Sequence, residues 1–247
     1  MQIKFRVVSL SHRSAPVHIR ELISLDEVAI QRLLLKLKEF FNLTDALVLS
    51  TCNRTEVYYS HELDLSSELI KLIGIERGVT DAISYLDYFQ VINNEKEAVT
   101  HLFRVSMGLE AQVIGDIQIS NQVKRAYQTA ADLELAGPFL HRLMHTIFFT
   151  NKRVVQETAF RDGAASLSYA TIELIESLTQ NIFQPSILII GVGEIGEDVA
   201  KNMVHLPTAK IKITNRTLAK AEEIGIPLGF EVIPFDSCLI AIEEADV

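Results

Sequence analysis

The 247-residue chain contains no tryptophan and only two cysteines, and no apolar run approaches the ~20 residues that a membrane-spanning helix needs. Residues Met1 to Arg6 alternate like a strand and do not form the charged and then apolar leader of a secreted protein. Two cysteines without such a leader indicate a reducing compartment, in which a disulfide between Cys52 and Cys238 is not expected. The sequence has no internal repeat and no low-complexity tract. We therefore expect a globular cytoplasmic protein without a membrane segment.

Positive charge is scarce in the second part of the chain. The net charge is −9: residues 1–160 carry 17 Lys and Arg against 19 Asp and Glu, whereas residues 161–247 carry 6 against 13. Such an acidic chain argues against a nonspecific nucleic-acid binder, because a phosphate backbone is repelled by negative charge. The first part is nearly neutral, however, and this leaves the docking of an RNA there open.

The first part of the chain predicts a ferredoxin-like sheet. Alternating or continuous apolar residues predict strands at 3–10, 45–50, 56–60 and 84–92. Helices are predicted from an N-cap at Asp26 to about Phe40, and from Ser66 to about Ile73. The resulting order β-α-β-β-α-β indicates an antiparallel sheet with helices on one face. A helical extension follows from Asn94 to about 160, with breaks near 115–116 and 137–138.

The second part predicts a parallel sheet, so that the whole chain is of the α/β class. Arg161–Ala164 mark the boundary, and a helix is predicted from Ser166 to Leu178. The continuous apolar strand 186–190 leads directly into a glycine-rich loop and a helix that ends near Val204, and the next strand is 210–213. The last residues, 243–247, have the pattern that precedes a further strand, which predicts an incomplete Rossmann-type domain.

The glycine-rich loop has the spacing Gly191-x-Gly193-x-x-Gly196, which is typical of dinucleotide binding. The first glycine permits a tight turn, the second lets the backbone approach a pyrophosphate, and the third lets helix and strand pack closely. Glu194 and Ile195 then lie at the helix N-terminus, whose free N–H groups face the phosphates. An ordinary strand-to-helix turn is the alternative, and the strand before the loop and the helix after it favour the cofactor.

Three residues after the second strand of this domain, Asn215, Arg216 and Thr217, indicate which cofactor binds. NAD-specific loops place an acidic residue there to hold the ribose 2′-hydroxyl, and this chain has none. Arg216 can instead hold a 2′-phosphate through two hydrogen bonds, and Thr217 can donate another. We therefore predict NADPH. The alternative is that Arg216 is a solvated arginine at the start of a helix.

Cys52 lies in the polar segment Ser-Thr-Cys-Asn-Arg-Thr-Glu (50–56), between two predicted strands. Strand ends and the loops after them often display reactive groups. A nearby cation such as Arg54 favours the thiolate, which is the nucleophilic form of cysteine. The alternative is a small packing cysteine, which we expect for Cys238 because no polar run surrounds it.

Taken together, these motifs resemble the glutamyl-tRNA reductases, over almost the whole chain. The resemblance rests on residues 11–16, 20–21, 49–56, 101–105, 108–109, 115, 118–119, 122–124, 152–154 and 157–158, with the glycine loop and 215–217. It implies a catalytic, glutamyl-tRNA-binding domain over 1–160 and an incomplete NADPH-binding domain over 161–247. The dimerisation domain that follows in the family is absent, and we therefore expect a truncated chain.

The resemblance also implies a reaction. Cys52 would attack the ester that joins glutamate to tRNA(Glu) and form a thioester, which NADPH would reduce to glutamate-1-semialdehyde. This is the first step of tetrapyrrole (porphyrin and haem) synthesis by the five-carbon route. His101, expected at the start of a helix, would lie in the same pocket as a second catalytic residue. The substrate-binding residues would be Thr51, Arg54, Glu56, Asp116, Gln118 and Gln122, with no metal.

Partners follow from the same resemblance: glutamyl-tRNA(Glu), glutamate-1-semialdehyde aminotransferase, and a second copy in a homodimer. Two departures from the family pattern leave alternatives open. Ala111 replaces a serine that is expected to help hold the glutamate, and Asp116 replaces a glutamate. They favour a non-catalytic or regulatory relative. A small-molecule NADP dehydrogenase of the shikimate type is the other alternative, and Cys52 argues against it because hydride transfer to a ketone needs no nucleophile.

Overall fold

The computed structural model describes residues 4–79, 81–158, 160, 167–204 and 209–247. The chain divides into two compact units, Met1–Asp162 and Gly163–Val247. The predicted boundary, residues 161–164, lies outside the described residues, as does Ser166 at the start of the predicted helix. Within the described ranges, no helix has the length and apolar character that would be needed to cross a membrane.

The first unit contains a four-stranded antiparallel sheet. Its strands are β1 (Lys4–Ser11), β2 (Ala46–Ser50), β3 (Arg54–His61) and β4 (Gln90–Ile92). Their order in the sheet is β2-β3-β1-β4, and each neighbouring pair is antiparallel. This is the order that the predicted ferredoxin-like arrangement requires, and the predicted mixed α/β class is confirmed.

Six helices accompany this sheet in the described part of the first unit. They are α1 (Val17–Ile23), α2 (Glu27–Phe41), α3 (Ser66–Arg77), α4 (Glu95–Ser106), α5 (Ile117–Asp132) and α6 (Pro138–Glu157). Asp26 caps α2 as predicted, since its Oδ1 accepts a hydrogen bond from the Ala29 N–H at 2.8 Å. The predicted breaks near 115–116 and 137–138 coincide with the starts of α5 and α6.

The predicted helical extension covers the second face of the sheet, so that both faces are covered by helices. Neighbouring residues along β1, such as Val7 and Val8, are equally buried although their side chains point to opposite faces. On one face Tyr59 bonds to the start of α3, while on the other Phe5 packs against Phe139 of α6. The helical extension therefore forms a second layer and encloses the polar groups of β3 described below.

The predicted strand 84–92 was largely wrong. Residues Ala82–Tyr88 form a 3-10 helix, and only Gln90–Ile92 pair with β1. This short helix packs closely on α3, because a Cβ added at Gly74 would lie 2.2 Å from the Cβ of Ala82. The tilted rings of Tyr85 and Tyr88, three residues apart, have centroids 6.5 Å apart, as the three-residue period of a 3-10 helix allows.

The second unit is a small parallel α/β domain, as predicted. Its elements are α7 (Leu167–Thr179), β5 (Ser186–Ile190), α8 (Glu194–Met203), β6 (Lys210–Thr214), α9 (Leu218–Gly225), β7 (Glu231–Val232) and α10 (Cys238–Glu244). The strands pair in the order β5-β6-β7 and are parallel. The last residues extend along β5: the Asp246 N–H donates to the carbonyl of Ser186 at 2.8 Å, and the Leu188 N–H donates to that of Val247 at 2.9 Å.

Candidate active site

Cys52 lies at the tip of the hairpin that joins β2 to β3. The N–H of Thr51 donates to the carbonyl of Arg54 at 2.8 Å and closes a tight turn around Cys52 and Asn53. Within the turn, the Asn53 N–H donates to Oγ1 of Thr51 at 3.1 Å, so this hydroxyl shapes the loop. Cys52 is exposed and carries a free thiol. The turn therefore presents its sulfur to solvent, unlike Cys238, which is buried.

The end of β1 and helix α1 hold this turn in place. The His12 N–H donates to the carbonyl of Asn53 at 2.8 Å, and Nη1 of the buried Arg20 donates to Oδ1 of Asn53 at 3.0 Å. Burial lowers the pKa of His12, and the positive charges of Arg54, Arg13 and Arg20 lower it further. His12 is therefore neutral at physiological pH, and it adds no further charge beside the turn.

Glu56 is the centre of a buried hydrogen-bond network. It is completely buried in β3, on the same face as Arg54 and Tyr58, which lie two residues to either side. Its Oε1 accepts hydrogen bonds from Ser9 Oγ at 2.8 Å, Arg54 Nη1 at 2.9 Å and His101 Nε2 at 3.1 Å. Its Oε2 accepts one from the Tyr58 hydroxyl at 2.6 Å. Four donors therefore converge on one carboxylate.

These donors keep Glu56 ionised. Burial by itself raises the pKa of Glu56, but the hydrogen bond from His101 and the charge of Arg54 outweigh it, and the pKa falls from 4.5 to about 2. Burial and the adjacent carboxylate hold the pKa of Tyr58 well above its ordinary value, so its hydroxyl remains a donor. Because Glu56 is an anion that can only accept a hydrogen bond, Nε2 of His101 carries the hydrogen. Nδ1 is therefore the ring nitrogen that does not bond to Glu56.

His101 lies in the middle of α4, and the prediction that it opens a helix was wrong. Helix α4 begins at Glu95, where Asn94 caps it by accepting a hydrogen bond from the Glu97 N–H at 3.2 Å. The imidazole packs on Tyr58 with ring centroids 6.2 Å apart, and its side chain is 15% exposed. Its position is therefore fixed by a whole helix and by Glu56 rather than by a helix end.

A cleft of about 510 Å³ borders this network. We call it the Arg54–His101 cleft, and its lining residues are Ser11, Arg13, Ser14, Arg54, Asp87, Phe89, Gln90, His101 and Glu110. Its walls come from the end of β1, from β3 and β4, from α4 and from the loop that follows α4. It contains charges of both signs, as a site for a zwitterionic group needs.

Most charges around this cleft are paired within the protein. The carboxylate of Glu110 forms ion pairs with Arg13 and with Arg104, while its backbone carbonyl accepts a hydrogen bond from Nη2 of Arg54. Arg54 is 2% exposed, and its Nη1 is bound to Glu56. Arg54 was expected to bind a substrate carboxylate or to assist the thiolate. Both of its terminal nitrogens instead form hydrogen bonds to other groups of the protein.

Two lining residues keep accessible charge. The side chain of Arg13 is 53% exposed, and Asp87 is exposed and forms no ion pair with another described residue. Glu56, by contrast, cannot touch a substrate while four protein donors surround its carboxylate. The prediction that Glu56 binds substrate directly is therefore corrected to one in which it positions His101 and Arg54.

Four other predicted substrate-binding residues, Thr51, Asp116, Gln118 and Gln122, do not line this cleft. Asp116 caps α5, because its Oδ1 accepts a hydrogen bond from the Gln118 N–H at 2.9 Å. Gln122 lines a different groove together with Ser50, the last residue of β2. The structure therefore brings Arg54, Glu56 and His101 together in one network, and neither Cys52 nor these four residues are among those that line the cleft.

Sequence reasoning missed several members of this network. Tyr58 could have been found, because the two-residue period of β3 places it on the same face as Arg54 and Glu56. Asp87 and Glu110 had no such signal, since each reaches the cleft from a segment whose position depends on tertiary packing.

The glycine loop has the backbone geometry that a dinucleotide requires. Gly191 has φ +97°, a conformation that residues with a side chain rarely adopt. A Cβ added at Gly196 would lie 2.0 Å from the carbonyl oxygen of Gly191, so helix α8 can pack on the loop only through glycine. A Cβ at Gly193 would meet no atom within 4 Å, which leaves open space next to the loop. These positions match the three predicted roles and fit a pyrophosphate at the start of α8, where Glu194 and Ile195 lie.

Asn215 connects this loop to the segment after β6. Its Oδ1 accepts a hydrogen bond from the Val192 N–H at 3.3 Å, and its Nδ2 donates to the carbonyl of Thr217 at 3.0 Å. Arg216 lies between these contacts and is exposed. Its backbone therefore lies in the segment that Asn215 connects to the glycine loop.

Comparison with protein families gives a match for each unit. Residues 8–158 match the family described as "Glutamyl-tRNAGlu reductase, N-terminal domain", and residues 173–247 match "Shikimate / quinate 5-dehydrogenase". The first match covers more than half of the chain and includes the Cys52 turn and His101. The second includes the glycine loop and Arg216.

Individual proteins give a consistent result. The chain is 52% identical over 244 residues to the glutamyl-tRNA reductase of Cytophaga hutchinsonii and 37% identical over 249 residues to that of Chlorobium phaeobacteroides. It covers 57% of the length of each, while 98% and 97% of this chain are matched. A solved structure of glutamyl-tRNA reductase from Methanopyrus kandleri superposes with a TM-score of 0.62 at 30% identity, over 98% of this chain and 57% of that one.

The low pKa of Glu56 makes the stability of the fold depend on pH. A carboxyl whose pKa is 4.5 when unfolded and about 2 when folded stabilises the protein above pH 4.5. This contribution, on the order of 3 kcal/mol, is lost as the pH falls from 4.5 towards 2. We expect urea unfolding of the parent chain to show the loss, and Glu56→Gln, which cannot ionise, to show much less of it.

Glu134→Gln is the matched control, because Glu134 is an exposed glutamate that is also bound to a cation, Lys38. Its pH profile should follow that of the parent. Parallel profiles for the parent and Glu56→Gln between pH 4.5 and 2 would contradict the ionised, buried carboxylate. Should Glu56→Gln fail to fold because Arg54 has lost its partner, carbon NMR titration of Glu56 in the parent gives the same test, and an unshifted pKa refutes it.

Proposed function

This chain belongs to the glutamyl-tRNA reductase family, and we propose that it reduces glutamyl-tRNA(Glu) to glutamate-1-semialdehyde with NADPH. This reaction is the first step of tetrapyrrole synthesis by the five-carbon route. The observation that carries the proposal is the exposed Cys52, held at the tip of the hairpin whose second strand carries Glu56, the partner of His101. A homodimer and an aminotransferase that takes up the product belong to the same proposal.

The first chemical step is an acyl transfer to Cys52. Its thiolate attacks the ester carbonyl of glutamyl-tRNA, a C–S bond forms, and the C–O bond to the terminal ribose breaks. The released ribose oxygen takes up a proton, and the glutamyl group stays on the enzyme as a thioester. A thioester accepts hydride more readily than an oxygen ester, so covalent catalysis divides one difficult reduction into two easier steps.

His101 is suited to proton transfer during this step. Glu56 fixes its ring and its tautomer, so that Nδ1 is the nitrogen able to give or take a proton. Glu56 stays ionised and stabilises the imidazolium form whenever His101 carries the extra proton. The pair thus acts as a buried carboxylate with an oriented histidine, and only the histidine reaches the cleft.

NADPH, when bound, supplies the hydride that turns the thioester into the aldehyde and frees Cys52. The residues that would hold it are Gly191, Gly193 and Gly196, with the helix N-terminus at Glu194 and Ile195. The exposed guanidinium of Arg216 would hold the 2′-phosphate, next to Asn215 and Thr217. What supports this assignment is the fit of the loop backbone, with its left-handed glycine and its open space at Gly193.

The accessible charges of the Arg54–His101 cleft suit the glutamyl group. This group carries an ammonium next to the reacting carbonyl and a carboxylate at the far end of its side chain. Asp87 is the exposed, unpaired anion among the described residues of the cleft, and Arg13 is its exposed cation. We propose that Asp87 binds the ammonium and Arg13 the carboxylate, while Arg54 supports the cleft from behind.

The two alternatives are less well supported. A small-molecule dehydrogenase of the shikimate type would explain the second unit but has no use for the Cys52 turn or for the first unit. A non-catalytic relative is motivated by Ala111, which lies in the loop that follows α4. The Glu56–His101 pair is intact in this chain, and it favours a working active site.

The nucleophile can be tested by mixing the chain with glutamyl-tRNA without NADPH. We expect intact-protein mass spectrometry to show one glutamyl adduct, and peptide mapping to place it on Cys52. Cys52→Ser should abolish it, because a serine hydroxyl without a dedicated base is a weak nucleophile at neutral pH. Cys238→Ser is the matched control and should keep the adduct. An adduct on Cys238, or reduction that persists in Cys52→Ser, refutes the assignment.

The role of Asp87 can be tested with a substrate that lacks the ammonium. Asp87→Asn should slow acylation of Cys52 by glutamyl-tRNA about tenfold, the loss of one hydrogen bond to a charged group. N-acetylglutamyl-tRNA, which has no positive charge at that nitrogen, should react at equal rates with the parent and with the variant. Asp81→Asn removes an exposed aspartate that does not line the cleft and should change neither rate. Equal slowing of both substrates by Asp87→Asn would show a structural effect instead.

Cofactor choice can be tested at Arg216. Arg216→Ala should weaken NADPH binding by roughly 1.5–3 kcal/mol, the range for hydrogen bonds to a charged group, and leave NADH nearly unchanged. Fluorescence titration with each nucleotide measures both affinities. Lys220→Ala, which removes an exposed cation from α9, is the charge-matched control. Equal losses for the two nucleotides would mean that Arg216 does not read the 2′-phosphate.

A further inference from the structure

The first unit carries a groove between α5 and α6 that the proposed chemistry does not use. Its volume is about 370 Å³, and its polar lining includes Lys124, Lys152, Asn121, Asn151 and Gln156. We call it the α5–α6 groove. None of the described residues that line it is acidic. A groove with two ammonium groups, three amides and no carboxylate has the composition of an anion-binding surface.

Other clefts in the same unit have a different composition. The Arg54–His101 cleft is lined by Asp87 and Glu110, the neighbouring cleft along α4 by Glu97, and the groove on the other side of α5 by Glu27. In a chain with a net charge of −9, a surface depression without acid is therefore unusual. This contrast identifies the α5–α6 groove as the place in the first unit where a polyanion meets least repulsion.

The two lysines of this groove are available for binding. Lys124 and Lys152 are exposed, and neither forms an ion pair with another described residue. Lys36 and Lys38 of α2, by contrast, are each paired with a glutamate. An unpaired ammonium binds a phosphate without first giving up a protein partner, so this pair retains its full electrostatic attraction for a phosphate chain.

Asn151 adds hydrogen-bond donors. Its side-chain amide belongs to a residue that lines the groove, and its –NH2 group can donate two hydrogen bonds. Its Oδ1 is buried and has no hydrogen-bond partner among the described groups. Phosphate oxygens only accept hydrogen bonds, so an amide donor complements the charge of the two lysines.

Helix α5 contributes residues to two different grooves. On one side of this helix Gln122 and Arg125 line a groove together with Ser50, which lies two residues before Cys52. On its other side Lys124 lines the α5–α6 groove. One helix thus separates the neighbourhood of the nucleophile from the anion-binding surface. An α-helix with its side chains is about 10–12 Å across, a width that a few nucleotides of an extended strand can span.

We propose that the α5–α6 groove binds the phosphate backbone of the tRNA whose 3′ end is presented to Cys52. This inference rests on the proposed function, because it takes glutamyl-tRNA as the substrate. The groove reads no base: lysines and amides hold the backbone and set its position. It accounts for RNA binding by a chain that is acidic overall, since the contact is confined to a local cationic surface of the nearly neutral first unit.

The test measures binding of uncharged tRNA(Glu) by fluorescence anisotropy over a range of salt concentrations. The double variant Lys124→Gln/Lys152→Gln should bind roughly 25-fold more weakly at about 0.1 M salt. The binding constant for a single strand falls with about the 0.7 power of the salt concentration for each phosphate contact, and the variant loses two such contacts. The slope of log affinity against log salt should become shallower by about 1.4. Lys71→Gln, which removes an exposed lysine of α3, is the control and should match the parent.

A second measurement separates this inference from the proposed reaction. The α-ethyl ester of glutamate carries no RNA, and its acylation of Cys52 should proceed equally in the parent and in the double variant. The inference is overturned if the parent does not bind tRNA(Glu), if the salt slope of the double variant is unchanged, or if Lys71→Gln weakens binding as much. Binding that depends on the two lysines, without any adduct on Cys52, would support the groove and refute the reaction.

Discussion

The site in the first unit depends on one buried anion, the carboxylate of Glu56. Removing a carboxylate from water costs several kcal/mol, and it persists only where charge and hydrogen bonds replace the lost hydration. Arg54 supplies the charge, while Ser9, Tyr58 and His101 supply further donors. These partners come from β1, β3 and α4, so the same carboxylate joins the sheet to the helix that carries the histidine. The stability of the fold and the orientation of His101 therefore both depend on this one carboxylate.

The register of the β2–β3 hairpin connects this anion to Cys52, the proposed nucleophile. Ser50 pairs with Thr55 and Thr51 bonds to Arg54, which leaves Cys52 and Asn53 at the tip. Side chains alternate along β3. A slip of one residue in the pairing would turn Glu56 to the opposite face and away from Ser9, the residue that it faces on β1. Display of the thiol and burial of the carboxylate are thus set by the same pairing, which explains why the polar segment 50–56 interrupts an otherwise apolar hairpin.

Features encoded by neighbouring residues were predictable, and features made by distant ones were not. The apolar strand 186–190 with its glycine loop, and the Asp26 cap, follow from local rules and appear where predicted. The 3-10 helix at 82–88 replaced a predicted strand, because it forms where the small Gly74 of α3 lets Ala82 approach, and the alternation of 84–92 holds no trace of that contact. The hydrogen bond between Glu56 and His101 was equally beyond local rules, because the two residues lie 45 positions apart in the sequence.

Charge is distributed so that each proposed anion site is a local exception to its surroundings. Residues 161–247 carry a net charge of −7, yet this part contains the loop proposed for an anionic dinucleotide. Net charge acts weakly beyond a Debye length of about 8 Å at physiological salt, so short-range donors decide binding there: the backbone of the glycine loop and Arg216. An RNA is longer than this distance and samples the average charge of the surface beneath it. The nearly neutral first unit is consequently the better surface for the proposed RNA contact, and among its described residues Lys124 and Lys152 are two unpaired cations that share one groove without an acidic residue.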